Sequence, residues 1–331
     1  MIVRFVSSLL LCLLPFWVVA SEQPVAIALH GGAGTIERDR MSAEVEADYR
    51  SFLDRAISDG YRQLRAGEDG LDVVVAIIQR MEDSPLFNAG KGSVYTWDGQ
   101  HELDASIMHG AQMDAGAVAG VTTVQSPIAL ARAVMEQSPH VMLASKGAEQ
   151  FARELGISEV SPAYFETERR KRALESYKAR KQAGVETHVD HKFGTVGVVV
   201  LDSKGNLVAG TSTGGMTGKR WGRIGDAPVI GAGTYADNRS CAVSATGHGE
   251  YFIRHTVARD ICARMQFAGQ SLQEAAETVI TDELVAAGGD GGVVAVDASG
   301  EVSMVFNTPG MYRASMSGSG EKRIGIFGDE P

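Results

Sequence analysis

Cysteine is scarce in this chain, with three in 331 residues. Cys12 lies in an apolar N-terminal stretch, which leaves Cys241 and Cys262. Two cysteines make no disulfide framework, and neither has the spacing of a zinc site. Cys241 falls in an expected buried strand and Cys262 in an expected helix, so both are read as buried free thiols. Positive charge is also in deficit. The 31 Lys and Arg against 41 Asp and Glu give a net charge of −10, which excludes a broad nucleic-acid surface, because phosphate binding needs clustered Lys and Arg. After residue 20 no apolar run approaches the ~20 residues of a membrane span. With 44% hydrophobic and 22% charged residues, the chain is not of the disordered class, which combines low hydrophobicity with high net charge. Glycine is the one residue in clear excess. The 39 glycines are about 12% of the chain, against a usual ~7%, and they follow no three-residue period, which excludes collagen. Such an excess calls for turns, or for backbone brought close to a ligand.

Residues 1–20 read as a cleaved secretory leader. Arg4 precedes a run of Leu, Val and Phe, and Val18-Val19-Ala20 offers small residues before Ser21. The expected location is therefore exported, periplasmic or secreted, with no membrane contact once the leader is gone.

The rest alternates strand-like and helix-like segments. Residues 25–29 form an expected buried strand ending in His30-Gly31-Gly32-Ala33-Gly34, and helical spacing covers 41–66 and 71–81. A strand is expected over 115–124, a helix capped by Ser126 to about 137, and another helix over 142–155. Residues 161–192 are highly charged; the first part reads as an exposed helix and 184–192 as a surface linker. The next segment, Phe193-Gly194-Thr195-Val196-Gly197-Val198-Val199-Val200-Leu201, is a buried strand, turned back by Asp202-Ser203-Lys204-Gly205 into a hairpin. The segment Val293-Val294-Ala295-Val296-Asp297-Ala298-Ser299-Gly300 repeats that shape, and the two hairpins are expected side by side in one sheet. Two helices, about 250–267 and 272–287, lie between them. Hairpins outnumber βαβ crossovers, which favours antiparallel sheets covered by helices in one layered α/β domain.

Three motif matches fail on context. Gly231-Ala232-Gly233-Thr234-Tyr235-Ala236 fits a dinucleotide pattern but opens no helix. Gly218-Lys219 lacks the rest of a phosphate loop, since Thr213 stands where the first Gly is required and Arg220 replaces the Ser or Thr. Gly210-Thr211-Ser212-Thr213-Gly214 matches a nucleophile elbow, but Gly215-Met216-Thr217-Gly218 is a poor helix start. A serine hydrolase, with His248 or His255 as base, therefore stays a distant alternative.

Thr195 is the informative residue. A charged linker runs into Gly194-Thr195 just where a buried strand begins. A cut between them would give Thr195 a free α-amine of pKa ~7.7–8.0, which can take the proton of its own hydroxyl, so that nucleophile and base are one residue.

From here the sequence resembles the threonine N-terminal-nucleophile hydrolases, and among them the plant-type asparaginase and isoaspartyl peptidase family. The likeness rests on Gly194-Thr195-Val196-Gly197, Thr211-Ser212-Thr213-Gly214-Gly215-Met216-Thr217, Gly222-Arg223-Ile224-Gly225-Asp226-Ala227-Pro228, Gly231-Ala232-Gly233-Thr234-Tyr235-Ala236 and Ala245-Thr246-Gly247-His248-Gly249-Glu250. Leu29-His30-Gly31-Gly32-Ala33-Gly34 and Phe87-Asn88-Ala89-Gly90-Lys91-Gly92 carry it in the first half.

The resemblance implies a four-layer αββα sandwich, two mainly antiparallel sheets between helix layers, and self-cleavage before Thr195. Residues 21–194 and 195–331 would be two subunits of one globular domain, assembled as an (αβ)2 heterotetramer. It further implies Thr195 as nucleophile, Thr213 as its hydrogen-bond partner, and Thr246 with the N–H of Gly247 as oxyanion hole. Arg223 would take the substrate's α-carboxylate and Asp226 its α-ammonium, with Gly249 alongside and Asn88 positioning the nucleophile. No organic cofactor is implied. A loop through the backbone of Met81, Glu82, Ser84, Phe87, Ala89 and Lys91 would bind sodium. The implied activity is hydrolysis of β-aspartyl dipeptides and L-asparagine. Glycosylasparaginase is the rival within the family, and a secreted binding protein for acidic amino acids the rival outside it.

Overall fold

The computed structural model describes residues 23–184, 194–318 and 320–330. The leader, residues 1–20, and nearly all of the proposed linker lie outside them. Among the described residues, twelve strands form two sheets. In chain order they are β1 (Ala26–Gly34), β2 (Leu103–His109), β3 (Asp114–Val121), β4 (Met142–Ala144), β5 (Val196–Leu201), β6 (Leu207–Thr213), β7 (Thr234–Ala236), β8 (Cys241–Gly247), β9 (Gly291–Asp297), β10 (Val302–Phe306), β11 (Gly310–Ser317) and β12 (Glu321–Phe327). The eight-stranded sheet runs β12-β11-β1-β5-β6-β2-β3-β4 and the four-stranded one β10-β9-β8-β7. Every pairing is antiparallel except β3 with β4. The main helices are α1 (Ala43–Arg65), α2 (Gly70–Glu82), α3 (Pro127–Gln137), α4 (Ser145–Glu154), α5 (Glu168–Gln182), α6 (Gly249–His255), α7 (Val257–Ala263) and α8 (Leu272–Glu277).

The strands read as unbroken apolar runs because both faces of the large sheet are covered. Ile27, Leu29, Val196, Val198 and Val200 face a core shared with α1 and α2. The alternate residues Ala26, Ala28, Val199 and Leu201 join a second core with Val243, Ala245, Val294 and the helix residues Val257, Ile261 and Leu272. Small residues on the inner face let the two sheets approach. At Gly197 a Cβ would stand 1.9 Å from Ser244 Oγ and 2.3 Å from His30 Nε2, so only glycine fits there. The outcome is the four-layer αββα sandwich.

Several expectations need correction. The two Asp-x-x-Gly hairpins are built alike. Asp202 Oδ1 accepts from the N–H groups of Lys204 and Asn206, Asp297 Oδ1 from those of Ser299 and Glu301, and Gly205 and Gly300 adopt positive φ. They are not neighbours in one sheet, however. β5 is flanked by β1 and β6, and β9 by β8 and β10, so the hairpins belong to opposite sheets. The expected helix over 142–155 begins as β4, and the helix expected over 250–267 breaks at Thr256, which has φ 47°.

Cys241 and Cys262 are not free thiols; they form a disulfide with a Cα–Cα distance of 5.4 Å. α7 folds back on β8 and brings together residues 21 apart in sequence. Closing a loop of this length removes denatured-state entropy worth about 3 kcal/mol. The expected result is that Cys241→Ser/Cys262→Ser, or a strong reductant, lowers the denaturant midpoint accordingly. An unchanged midpoint would show that the bond contributes nothing.

Candidate active site

Sheet register brings the threonines together. β5 pairs with β6 so that Val196 lies opposite Ser212, and extending that ladder by one step sets Thr195 opposite Thr213. The Thr195 hydroxyl donates to Thr213 Oγ1 at 2.9 Å, and the N–H of Gly215 donates to the same oxygen at 3.0 Å. Both threonines are buried. Beneath them His30, in β1, reaches the carbonyl of Thr195 through Nδ1 at 3.0 Å and Ser244 Oγ through Nε2 at 3.0 Å. Burial pushes its imidazole down to about 3, so the ring is neutral and one nitrogen donates while the other accepts. From Ser244 a chain of buried hydroxyls runs through Thr211 and Thr234 to Ser106, which donates to the carbonyl of Ala227 at 2.6 Å. This chain ties the Thr195 backbone to the loop carrying Asp226.

Asn88 acts as a four-way tie. Its N–H donates to the carbonyl of Gly194 at 3.0 Å and its own carbonyl accepts from Gly214 at 3.0 Å. Its side chain donates to Gly215 O at 2.7 Å and accepts from the N–H of Val94 at 2.8 Å. The residue expected to position the nucleophile is thus bonded to the backbone on both sides of the Thr195–Thr213 pair.

Arg223, Asp226 and Gly249 also converge. A Cβ on Gly249 would stand 2.8 Å from Asp226 Oδ1 and 2.9 Å from Arg223 Nη2, so the absence of a side chain leaves both charges reachable. The ion pair of Arg223 is not with Asp226. Its Nε and Nη2 donate to Glu250 at 2.9 and 2.8 Å, which leaves the Nη1 side of the fork toward Gly215 and Gly225. Asp226 Oδ2 is buried and has no hydrogen-bond partner among the described residues. Burial raises its carboxyl to about 7 against the pull of Arg223. A buried carboxylate left in this state is costly unless a cation completes it. Thr246, at the end of β8, carries a buried hydroxyl that is also without a partner among the described residues.

Four nearby residues have partners that the sequence did not indicate. Lys219 buries its ammonium beside Asp104 Oδ2 at 3.9 Å and donates to the carbonyl of Glu102 at 2.8 Å. That use removes the phosphate-loop reading of Gly218-Lys219. Glu82 is buried, is pushed up to about 7 by burial, and accepts from Ser126, Ser212 and the N–H of Ile128. Ser212 is thereby occupied within β6, with no helix after it, so the nucleophile-elbow reading falls. His30 and Glu250 sit inside recognisable motifs, but their partners are set by the tertiary fold. The Gly231–Ala236 match ends in β7, without the helix a dinucleotide needs. Among the described residues no cluster of His, Cys, Asp and Glu could hold a metal ion, and no helix is long and apolar enough to cross a membrane.

Residues 22–326 match the family model described as asparaginase. The chain is 51% identical to the isoaspartyl peptidase of Escherichia coli (strain K12) over 297 residues, 87% of this chain and 91% of that protein. It is 41% identical to the probable isoaspartyl peptidase/L-asparaginase 2 of Arabidopsis thaliana over 325 residues, covering 91% and 98%. It is 40% identical to the isoaspartyl peptidase/L-asparaginase of Homo sapiens over 307 residues, covering 93% and 97%. With the sandwich and the threonine site, these likenesses establish that the chain belongs to the asparaginase family that includes the isoaspartyl peptidases.

Proposed function

We propose that this protein hydrolyses β-aspartyl amide bonds, in isoaspartyl dipeptides and in L-asparagine, after cleavage between Gly194 and Thr195. The observation that carries the reading is the buried Asp226 carboxylate with an unpartnered oxygen beside the Arg223 guanidinium. A substrate that satisfies both must present a free α-ammonium and a free α-carboxylate, and its reacting amide must then lie on the side chain. An ordinary α-peptide has used one of those groups.

Thr195 performs the chemistry. Its α-amine takes the hydroxyl proton as Oγ1 attacks the β-carbonyl, while Thr213 fixes the direction of Oγ1. The developing oxyanion is received by the Thr246 hydroxyl and the N–H of Gly247, donors worth ~10²–10³ in rate apiece. The leaving amine takes the proton, and water cleaves the resulting β-aspartyl ester. Glycosylasparaginase is not favoured, since the relatives carry isoaspartyl peptidase names. We further propose export through the leader at residues 1–20, which the disulfide supports because such bonds persist in oxidising compartments. The (αβ)2 assembly is proposed on the family likeness. So is the sodium loop. The carbonyls of Glu82, Ser84, Phe87 and Lys91 accept no hydrogen bond from a described backbone N–H, which fits ligation by carbonyls, whereas those of Met81 and Ala89 already accept one. Sodium there would stiffen the loop beside Asn88.

The test is turnover of a β-aspartyl dipeptide, L-asparagine and a glycosylated asparagine side by side. Preference for the dipeptide is expected. Exclusive use of the glycosylated compound would overturn the substrate assignment, and binding of aspartate without turnover would point to a solute-binding protein.

A further inference from the structure

A cavity of about 480 Å³ lies beside the proposed cut, and its lining includes Gly194, Asn88, Tyr49, Tyr312 and two adjacent cations, Arg169 and Arg170. The arginines come from the first turn of α5, whose N-cap Thr167 accepts from the N–H of Arg170. Arg169 spends its guanidinium on neutral acceptors, the carbonyls of Pro85 and Leu86 and the hydroxyl of Tyr49. Arg170 donates through Nε to the carbonyl of Gly92 at 2.7 Å, and its Nη2 lies 3.5 Å from where a Cβ on Gly194 would stand. Burial lowers the Arg170 guanidinium to about 10, helped by the like charge of Arg169. Neither arginine makes an ion pair among the described residues. The cavity's other charged lining groups, Glu37 and Arg40, pair with each other at 2.8 Å. Two neighbouring cations, one of them half-buried, without a carboxylate make an incomplete site.

Cleavage would supply the missing anion. The Gly194–Thr195 amide plus one water gives a carboxylate on Gly194 and an ammonium on Thr195, and Arg170 keeps its protons throughout. We infer that Arg170 is the receiving cation for the α-carboxylate that cleavage creates at Gly194, so that this cavity is a carboxylate site completed only in the cut protein. The inference rests on the cleavage reading above. Arg170 touches neither substrate nor nucleophile. It acts by holding the Gly194 end, through a planar fork matched to two carboxylate oxygens, and so opposes rejoining of the two pieces.

The experiment compares Arg170, Arg170→Gln and Arg170→Lys in two backgrounds, the native chain and the uncut Thr195→Ala chain, by intact mass and thermal melting. In the native background Arg170→Gln is expected to lower the melting temperature by about 4 °C or more beyond its effect in the uncut chain, and lysine, which keeps the charge without the fork, to recover part of that excess. A purely structural arginine would give equal shifts in both backgrounds. Equal shifts, or a lysine no better than glutamine, overturn the inference. Should the native protein remain a single chain, the cleavage reading itself falls and the carboxylate site with it.

Discussion

Thr195→Ala is expected to leave the chain whole on a denaturing gel and to reduce kcat/KM toward a β-aspartyl dipeptide by about 10⁴-fold or more, the scale of removing a covalent nucleophile. Two functions are lost together. In the proposed scheme the hydroxyl that would attack the Gly194 carbonyl during maturation is the one that would later attack substrate. The fold has little reason to notice. The hydroxyl makes one recorded hydrogen bond, to Thr213, while the bond from His30 goes to the Thr195 carbonyl and survives the substitution. Thr195→Ser retains both hydroxyl and α-amine, so it should still cut and still turn over substrate, more slowly than threonine. An alanine variant that still breaks at 194–195 would place the nucleophile elsewhere and end this assignment.

Which parts of this arrangement could be read from the residues follows from how local each signal is. Gly194-Thr195 before a valine-rich run marks the start of β5, because a charged stretch gives way to a buried strand within a few residues. The Asp202 and Asp297 turns are equally local, since one carboxylate and one glycine define each. Their assignment to opposite sheets is not local. It depends on β1 and β6 occupying both flanks of β5, and those partners come from distant parts of the chain. The disulfide escaped for the same reason, as strand and helix contexts say nothing about α7 folding back over β8. The Arg223–Asp226 pair shows the limit most clearly. Spacing places both groups in one glycine-rich loop, but it cannot show that Glu250 takes one edge of the guanidinium and so leaves Asp226 without a bonded cation. Arg170 carries the least local signal of all. It is one of several basic residues in a charged helix, and only the fold sets its guanidinium against Gly194.

Asp226→Asn carries the second large effect. An α-ammonium bound to a buried carboxylate is a charge-assisted pair, and losing the charge costs about 2–4 kcal/mol, or about 30- to 1000-fold in kcat/KM. The pH dependence has a definite sign. Burial places the carboxyl at about 7 in the substrate-free protein, so it is protonated below that pH and ionised above it. Only the ionised form attracts the ammonium, hence wild-type kcat/KM falls as pH drops through about 7. The Thr195 α-amine, which must be neutral, adds a second loss below its ordinary ~7.7–8.0. Asparagine at position 226 cannot titrate, so its profile should keep the amine limb and lose the carboxylate limb. Stability should move the other way. In the free protein the penalty for ionising this carboxyl builds as pH rises from its unfolded value of 3.8 to about 7, and it is fully present at pH 8. Removing the charge there should leave the melting temperature unchanged or raise it. A variant that is less active yet no less stable, with one pH limb gone, identifies a carboxylate kept for the substrate's ammonium. A variant that keeps the wild-type profile would assign the limb to the amine alone and leave Asp226 as a structural group.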